Sequence, residues 1–184
     1  MLTETVLIDL LEKIKQVRIA LLGDLFVDMY WEADMKLSIL SRETPHHPLP
    51  VVEERIAPGG GANAAVNLKD LGAAQMQLCG VIGNDWRGYA LIREFLAREI
   101  AIDHVVQSGE MTTNAYCKPI RTGISDVVYE DPRIDFENRS PLPARAEDSI
   151  IQWLQDLPGT VDALCVNDQA AFGCVTPRVL RTLN

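Results

Sequence analysis

The stretch PGGGANAAVN, residues 58–67, places three consecutive glycines directly before a helix-forming segment. Because glycine has no side chain, backbone N–H groups at such a turn can approach a ligand closely. The start of the following helix attracts oxygen-rich or anionic groups, and Asn63 adds an amide that both donates and accepts hydrogen bonds. Together these features favour a ligand rich in hydroxyls, such as a sugar. A glycine hinge that only packs against a sheet is the structural alternative.

Two nucleotide-binding motifs do not fit this stretch. Gly59, Gly61 and Ala64 match the spacing of the dinucleotide fingerprint G-x-G-x-x-G/A, but that fingerprint must directly follow the first strand. The first predicted strand ends at Asp24, and residues 25–58 intervene. A P-loop would need a lysine near the position that Asn63 occupies. The glycines are therefore not predicted to hold a nucleotide.

Apolar runs and helical stripes alternate along most of the chain. Strands are predicted at 17–24, 75–83, 100–107 and 161–168, and helices at 3–16, 61–71, 85–99, 144–157 and 176–183. Thr3 is a candidate cap for the first helix. This alternation predicts an α/β fold, a doubly wound and mostly parallel sheet with helices on both faces.

Two extended segments interrupt that alternation and are predicted to form a small β lid. Residues 31–57 are rich in proline and charge, and residues 110–137 indicate a hairpin joined at Thr122 and Gly123. The α/β core is then made of 1–30, 58–109 and 138–184. Ligands of open α/β sheets bind beyond the carboxyl ends of the strands, where a lid would exclude water.

Composition narrows the class of partner. The net charge of −9 argues against nucleic acid and acidic membranes, because a phosphate surface would repel the protein. No apolar run has the length of a membrane span, and acidic residues near the N-terminus argue against a signal peptide. We therefore predict a cytoplasmic protein. Its four cysteines lack zinc-ligand spacing and are predicted to be reduced core residues, with no metal site.

Four stretches resemble the PfkB, or ribokinase-like, family of carbohydrate kinases. They are GDLFVDMYW (23–31), SRETPHHPLPVV (41–52), PGGGANAAVNLKDLGA (58–73) and RIDFEN (133–138). The third resembles the family's G-G-x-A-N signature. The second and fourth are most similar to the branch that phosphorylates D-glycero-D-manno-heptose 7-phosphate. The resemblance implies a ribokinase-like fold with a β lid, and a homodimer formed through that lid.

The resemblance also implies roles for individual residues. Asp28 matches an aspartate that binds sugar hydroxyls, Gly59 and Gly60 match the glycine pair beside the sugar, and Asn63 matches an asparagine that hydrogen-bonds it. Two basic residues, Lys118 and Arg133, align with lid positions that meet a phosphate already present on the substrate. Asp168 lies near a family position that reaches the sugar. The alternatives are that Asp28 caps a local turn, that Lys118 and Arg133 are solvated, and that Asp168 is an ordinary strand-end residue.

The resemblance is incomplete. About four extra residues precede Ser41 relative to the branch pattern, the connection from Val52 to Pro58 is about three residues shorter, and the stretch after Asp168 lacks an expected lysine. The family's later N-x-x-E and G-A-G-D stretches do not occur, so the catalytic aspartate is expected beyond residue 184. We therefore expect the acceptor half of a kinase, inactive alone, whose ATP and Mg²⁺ bind elsewhere in the complete enzyme. The alternative is a non-catalytic sugar-binding or dimerisation module.

Overall fold

The computed structural model describes residues 3–183. In chain order the elements are α1 (Glu4–Ile14), β1 (Arg18–Gly23), β2 (Leu25–Asp34), β3 (Val51–Gly60), α2 (Gly61–Asp70), β4 (Gln75–Gly83), α3 (Trp86–Ala97), β5 (Ala101–Ser108), β6 (Asn114–Thr122), β7 (Tyr129–Glu130), β8 (Ile134–Phe136), α4 (Ala144–Asp156), β9 (Ala163–Asn167) and α5 (Pro177–Leu183). Thr3 caps α1, because its hydroxyl accepts the N–H of Val6 at 3.4 Å, as predicted.

The core is a four-stranded parallel sheet in the order β5-β4-β1-β9. Helices cover both of its faces. On one face, Ala62 of α2 and Phe95 of α3 join Leu21 and Leu78 in a buried cluster. On the other face, Ile150 of α4 packs with Ala20, Leu22 and Val179. The predicted α/β architecture is therefore confirmed.

The order in which the chain adds strands to this sheet changes side at β1. β4 and β5 lie on one side of β1 and β9 lies on the other. A crevice of this kind, beyond the carboxyl ends of the strands, is where open α/β sheets bind ligands. The ends of β1 and β9 meet there, since the N–H of Asp24 donates to the carbonyl of Asn167 at 3.1 Å.

A second sheet lies over the α2 and α3 side of the core. Its order is β3-β2-β6-β7, with β8 also paired to β6. β2 runs antiparallel to β3 and parallel to β6. The strands span 25–34 and 51–60, so they extend past the 31–57 boundary of the expected lid. The predicted hairpin is present, but its return strand β7 begins at Tyr129, so the loop is longer than a two-residue turn.

Alternation along β2 gives this second sheet two different faces. Val27 and Met29 are fully buried and contact the core cluster, together with Ala115 and Cys117 of β6. The residues between them, including Asp28, point to the opposite face because successive side chains of a strand alternate. We call this opposite side of β2, β3 and β6 the polar face.

Within residues 3–183, no helix is both long and apolar enough to cross a membrane.

Candidate functional site

Strand register assembles the polar face in rows across β3, β2 and β6. Phe26 lies opposite Gly59 and Asn114, Asp28 lies opposite Ala57 and Tyr116, and Tyr30 lies opposite Arg55 and Lys118. Directly opposed residues of neighbouring strands share one face of a sheet. The row nearest α2 therefore contains a glycine and an aromatic ring. The next row contains the Asp28 carboxylate, and the outermost row contains the two cationic side chains.

Asp28 forms an ion pair with Lys118 at the centre of this face. Their Oδ1 and Nζ atoms are 3.2 Å apart, and both side chains are about three-quarters buried. Lys118 also donates to the Tyr30 hydroxyl at 3.1 Å. Burial lowers the pKa of Lys118, but the bonds to Tyr30 and Asp28 outweigh it, and the pKa is raised overall. Asp28 lies inside β2, so the alternative that it caps a local turn is wrong.

The two glycines of the site are required for different reasons. A Cβ on Gly59 would stand 2.9 Å from Oδ2 of Asp28, so a side chain there would displace the carboxylate. Gly60 has φ of +56°, which favours glycine, and a Cβ on it would stand 2.9 Å from the carbonyl of Asp24. β3 thus ends and α2 begins at a bend without side chains, whose backbone packs directly against Asp28 and Asp24.

Arg133 reaches the same face from β8's N-terminal side. Its guanidinium lies 3.8 Å from the centre of the Tyr116 ring and donates twice to Asp135, at 2.6 and 2.7 Å. The hydrogen bond from Arg133 to Asp135 raises the pKa of the guanidinium. Burial of the Tyr116 phenol raises its pKa. Each cation predicted at the site is therefore already paired with an aspartate.

Asn63 and Asp168 are less closely associated with this cluster. Asn63 is exposed on the first turn of α2, and no side-chain contact joins it to Asp28 in the described part of the chain. Asp168 is exposed just after β9 and lines a separate cleft with Phe172 and Thr176. The next residue, Gln169, lies nearer the site, since a Cβ on Gly60 would meet its Oε1 at 3.0 Å.

A cleft of about 390 Å³ opens between the polar face and the core. Phe26 and Tyr116 form its wall on the second sheet, and Gln169 and Phe172 form the opposite wall. Its size is that of a small-molecule site. A larger open groove of about 620 Å³ lies against α4, away from the polar face, and includes His104 and Trp153.

Asp24 organises the wall that carries Gln169, a role that the sequence alone did not indicate. Its carboxylate is 4% exposed and accepts the backbone N–H groups of Gln169, Ala170 and Cys174 at 2.8, 2.7 and 2.8 Å. The only signal in the sequence was an acid directly after a buried strand. Asp24 therefore joins the end of β1 to the loop that follows β9.

These features describe a cleft of small-molecule size between a parallel sheet and a second, smaller sheet. The family model for the pfkB family carbohydrate kinases matches residues 25–160, and the chain belongs to that family.

Curated relatives are similar over the same region. The bifunctional protein HldE of Pelobacter propionicus is 31% identical over 169 residues, which cover 91% of this chain and 33% of the relative. The bifunctional protein HldE of Gluconobacter oxydans is 33% identical over 171 residues, covering 90% and 33%. The chain thus spans about a third of the length of these relatives.

Solved structures show the same fold. The tetrameric inhibited form of phosphofructokinase-2 from Escherichia coli matches with a TM-score of 0.55 and 15% identity, over 83% of this chain and 45% of that one. Ribokinase from Cryptococcus neoformans in complex with ADP matches with a TM-score of 0.50 and 16% identity, over 82% and 40%. The fold is ribokinase-like, as predicted.

The described residues do not form a metal centre of their own. Between residues 3 and 183, no group of three or more His, Cys, Asp or Glu side chains could hold a metal ion. Glu137 is the acid that lines the cleft, and it lies 4.0 Å from Arg139. Asp24 and Asp28, which lie close by, are occupied by backbone N–H groups and by Lys118. These residues therefore do not fit Mg²⁺, and we derive no step through it.

Proposed function

We propose that this chain binds the acceptor of an ATP-dependent sugar kinase, and that the acceptor is a sugar phosphate similar to D-glycero-D-manno-heptose 7-phosphate. The observation that carries the proposal is the close approach of Gly59 to the Asp28 carboxylate, beside a cleft of suitable size. The carboxylate can accept hydrogen bonds from sugar hydroxyls, and the bare glycine backbone lets the sugar approach it. Family membership and the similarity to HldE proteins support this choice.

The chain's own residues would bind and orient the acceptor. Asp28 would fix a hydroxyl, Asn63 and the start of α2 would supply further donors, and Lys118 would face the substrate's anionic group. Arg133 would add long-range electrostatic attraction for the anionic group of the substrate while it remains paired with Asp135. Asp168, exposed in the neighbouring cleft, would reach the sugar only if its loop moved. Since neither N-x-x-E nor G-A-G-D occurs in the sequence, we propose acceptor binding and not turnover as the activity of these residues, with ATP bound elsewhere in the complete enzyme.

Ligand titration with Asp28→Ala tests this function. We expect calorimetry to detect D-glycero-D-manno-heptose 7-phosphate binding to the unmodified chain, and the variant to bind it about 10- to 100-fold more weakly, because a hydrogen bond to a charged group is lost. Asp103→Asn, an exposed change on β5, is the matched control and should bind normally. Binding of a nucleotide without binding of any sugar would contradict the proposal.

A homodimer through the second sheet extends the proposal. β3 is an edge strand of that sheet, and its Val51 and Val52 are 49% and 58% exposed. Exposed apolar residues on an open strand edge favour pairing with another chain. Light scattering should therefore give the mass of a dimer, and Val52→Lys should shift it toward the monomer. A monomer at all concentrations of the unmodified protein would exclude this interface.

A further inference from the structure

Two asparagines, Asn114 and Asn138, line the cleft between the second sheet and the loop that follows β9. Asn114 begins β6 and is partly buried, whereas Asn138 follows β8 and is 6% exposed. The wall beside them is apolar, because the rings of Phe26 and Tyr116 meet edge to face with their centres 5.2 Å apart. Small-molecule sites commonly combine such walls with a few fixed polar groups. The two carboxamides are therefore candidates to orient a ligand in this cleft.

Asn138 uses both ends of its carboxamide within the protein. Its Nδ2 donates to the carbonyls of Ser140 at 2.7 Å and Phe172 at 3.2 Å. Its Oδ1 accepts the N–H groups of Thr112 at 3.3 Å and Ser140 at 3.4 Å. A carboxamide has two donor hydrogens and an oxygen with two lone pairs, so this group is saturated. Asn138 thus joins the second sheet to the loop after β9 and has no free hydrogen-bonding group for a ligand.

Asn114 uses only one end of its carboxamide. Its Oδ1 accepts the backbone N–H of Asn138 at 2.5 Å, and this bond orients the group. Its Nδ2 has no hydrogen-bond partner among residues 3–183. Because Asn114 is only partly buried and lines the cleft, a ligand oxygen in the cleft can reach that nitrogen. The pair of asparagines therefore presents a fixed donor that lacks an acceptor in the described part of the chain.

Strand register places Asn114 in the same row of the polar face as Gly59. Phe26 of β2 stands between them and is opposite both residues. Neighbouring strands lie about 4.8 Å apart, so the backbones of Asn114 and Gly59 are about 10 Å apart across the sheet. Asp28 lies in the next row, two positions along β2. The free donor therefore lies across the site from the glycine, where a different part of the same ligand would bind.

We infer that Asn114 is a further acceptor-binding residue, whose Nδ2 donates to a hydroxyl or ring oxygen of the sugar, and that Asn138 positions it. The inference rests on the proposed function, since it takes the acceptor to extend from Gly59 into the cleft. A site that donates to a substrate oxygen disfavours an analogue without that oxygen, because the donor is then left unpaired. Asn114 thus contributes to the choice of sugar, independently of the charge on the substrate.

Calorimetry with D-glycero-D-manno-heptose 7-phosphate tests the role of Asn114. Asn114→Ala should bind this sugar phosphate about 3- to 10-fold more weakly, because a neutral hydrogen bond is lost. Asn114→Asp keeps an oxygen for the N–H of Asn138, but it should weaken binding further, because an anionic oxygen replaces the donor. Asn67→Ala is the matched control, since it removes an exposed carboxamide from α2 that does not line the cleft, and it should bind normally.

NMR of the side-chain N–H signals gives a readout that a purely structural role would leave unmoved. The signals of Asn114 are identified by their loss in Asn114→Asp, and they should shift when the sugar phosphate is added, whereas those of Asn67 should not.

The positioning role of Asn138 is tested by a double-mutant cycle. Asn138→Ala should weaken binding, and the double variant Asn114→Ala/Asn138→Ala should bind no more weakly than Asn138→Ala alone, because one residue acts through the other. If Asn138→Ala does not fold, as judged by circular dichroism, Asn138→Asp takes its place in the cycle, because it keeps an oxygen for Thr112 and Ser140.

The outcomes separate this inference from the function on which it rests. If the sugar phosphate binds but Asn114→Ala keeps full affinity, or the Asn114 signals do not move, the inference is refuted and the proposed function stands. If the effects of the two alanine substitutions simply add, the positioning role of Asn138 is refuted. If the folded, unmodified chain binds no sugar phosphate, the proposed function fails and the inference fails with it.

Discussion

Replacing Asp24 by alanine should destabilise the protein strongly and loosen the loop of residues 168–174. The carboxylate is 4% exposed, and it accepts three backbone N–H groups at 2.7 to 2.8 Å. Alanine would leave all three donors without an acceptor. The donor on Cys174 is buried, while those on Gln169 and Ala170 are only partly buried.

The size of the effect follows from those three bonds. Leaving a buried donor unsatisfied costs about 1–3 kcal/mol, and water can rehydrate the two partly buried donors, so we expect a loss of about 3–5 kcal/mol. Asp24→Asn should cost less, about 1–3 kcal/mol. The amide oxygen can still accept some of the three hydrogen bonds, whereas the NH₂ group would place a donor against a backbone N–H donor. A domain of this kind has a total stability of about 5–15 kcal/mol, so either loss is measurable.

Urea unfolding followed by fluorescence measures these free energies. Asp168→Asn is the matched control, because it removes an exposed carboxylate from the same loop and should change stability by less than about 0.5 kcal/mol. If Asp24→Asn and Asp24→Ala both unfold at the urea midpoint of the unmodified protein, the carboxylate does not hold the loop. The role given to Asp24 would then be wrong.

Three further predictions concern other parts of the chain. Gly60→Ala should cost about 2–4 kcal/mol in urea unfolding, because alanine strains a left-handed residue and contacts a carbonyl; an unchanged midpoint would contradict this. Hydrogen bonds from Arg18 lower the pKa of Asp162 from 3.8 to about 2, so its contribution is present above about pH 4 and is lost as pH falls toward 2. The gap in urea midpoint between the unmodified protein and Arg18→Gln should therefore shrink over that range, and a constant gap would refute it. Burial raises the pKa of Cys79 to about 12. A thiol reagent at pH 8 should therefore modify the partly exposed Cys165 before Cys79. Rapid labelling of Cys79 would contradict this and would show that the core opens.

The core could be predicted because its signals are local. The run at residues 75–83 gives β4 with the same bounds, since it is mostly apolar and ends at glycine. The helix predicted at 144–157 is found as α4 (Ala144–Asp156), because its apolar spacing keeps Ile150, Trp153 and Leu154 on one buried side. Such patterns of apolar residues can be recognised from residues that are only a few positions apart in the sequence.

The site could be predicted only in part because it depends on register between distant segments. Lys118 meets Asp28 across 90 positions of sequence, and no local pattern specifies which residues of two strands stand opposite. The resemblance supplied Asp28 and Lys118 but left Arg55 unnoticed. Nor does any local pattern show that the Tyr30 ring contacts both Arg55 and Lys118 on the polar face. Pairing of strands therefore adds information that composition and spacing lack.

The same register ties ligand binding to folding. Along β2, Val27 and Met29 are fully buried in the core, while Asp28 and Tyr30 lie on the polar face. A shift of one residue would turn Asp28 into the apolar cluster and expose Met29, at the cost of an unpaired buried carboxylate. The apolar side of the strand thus fixes where the polar side chains stand before any ligand arrives. Ordering these groups in advance reduces the free energy that binding must spend on arranging them, so core substitutions at Met29 should weaken sugar binding without any contact to the sugar.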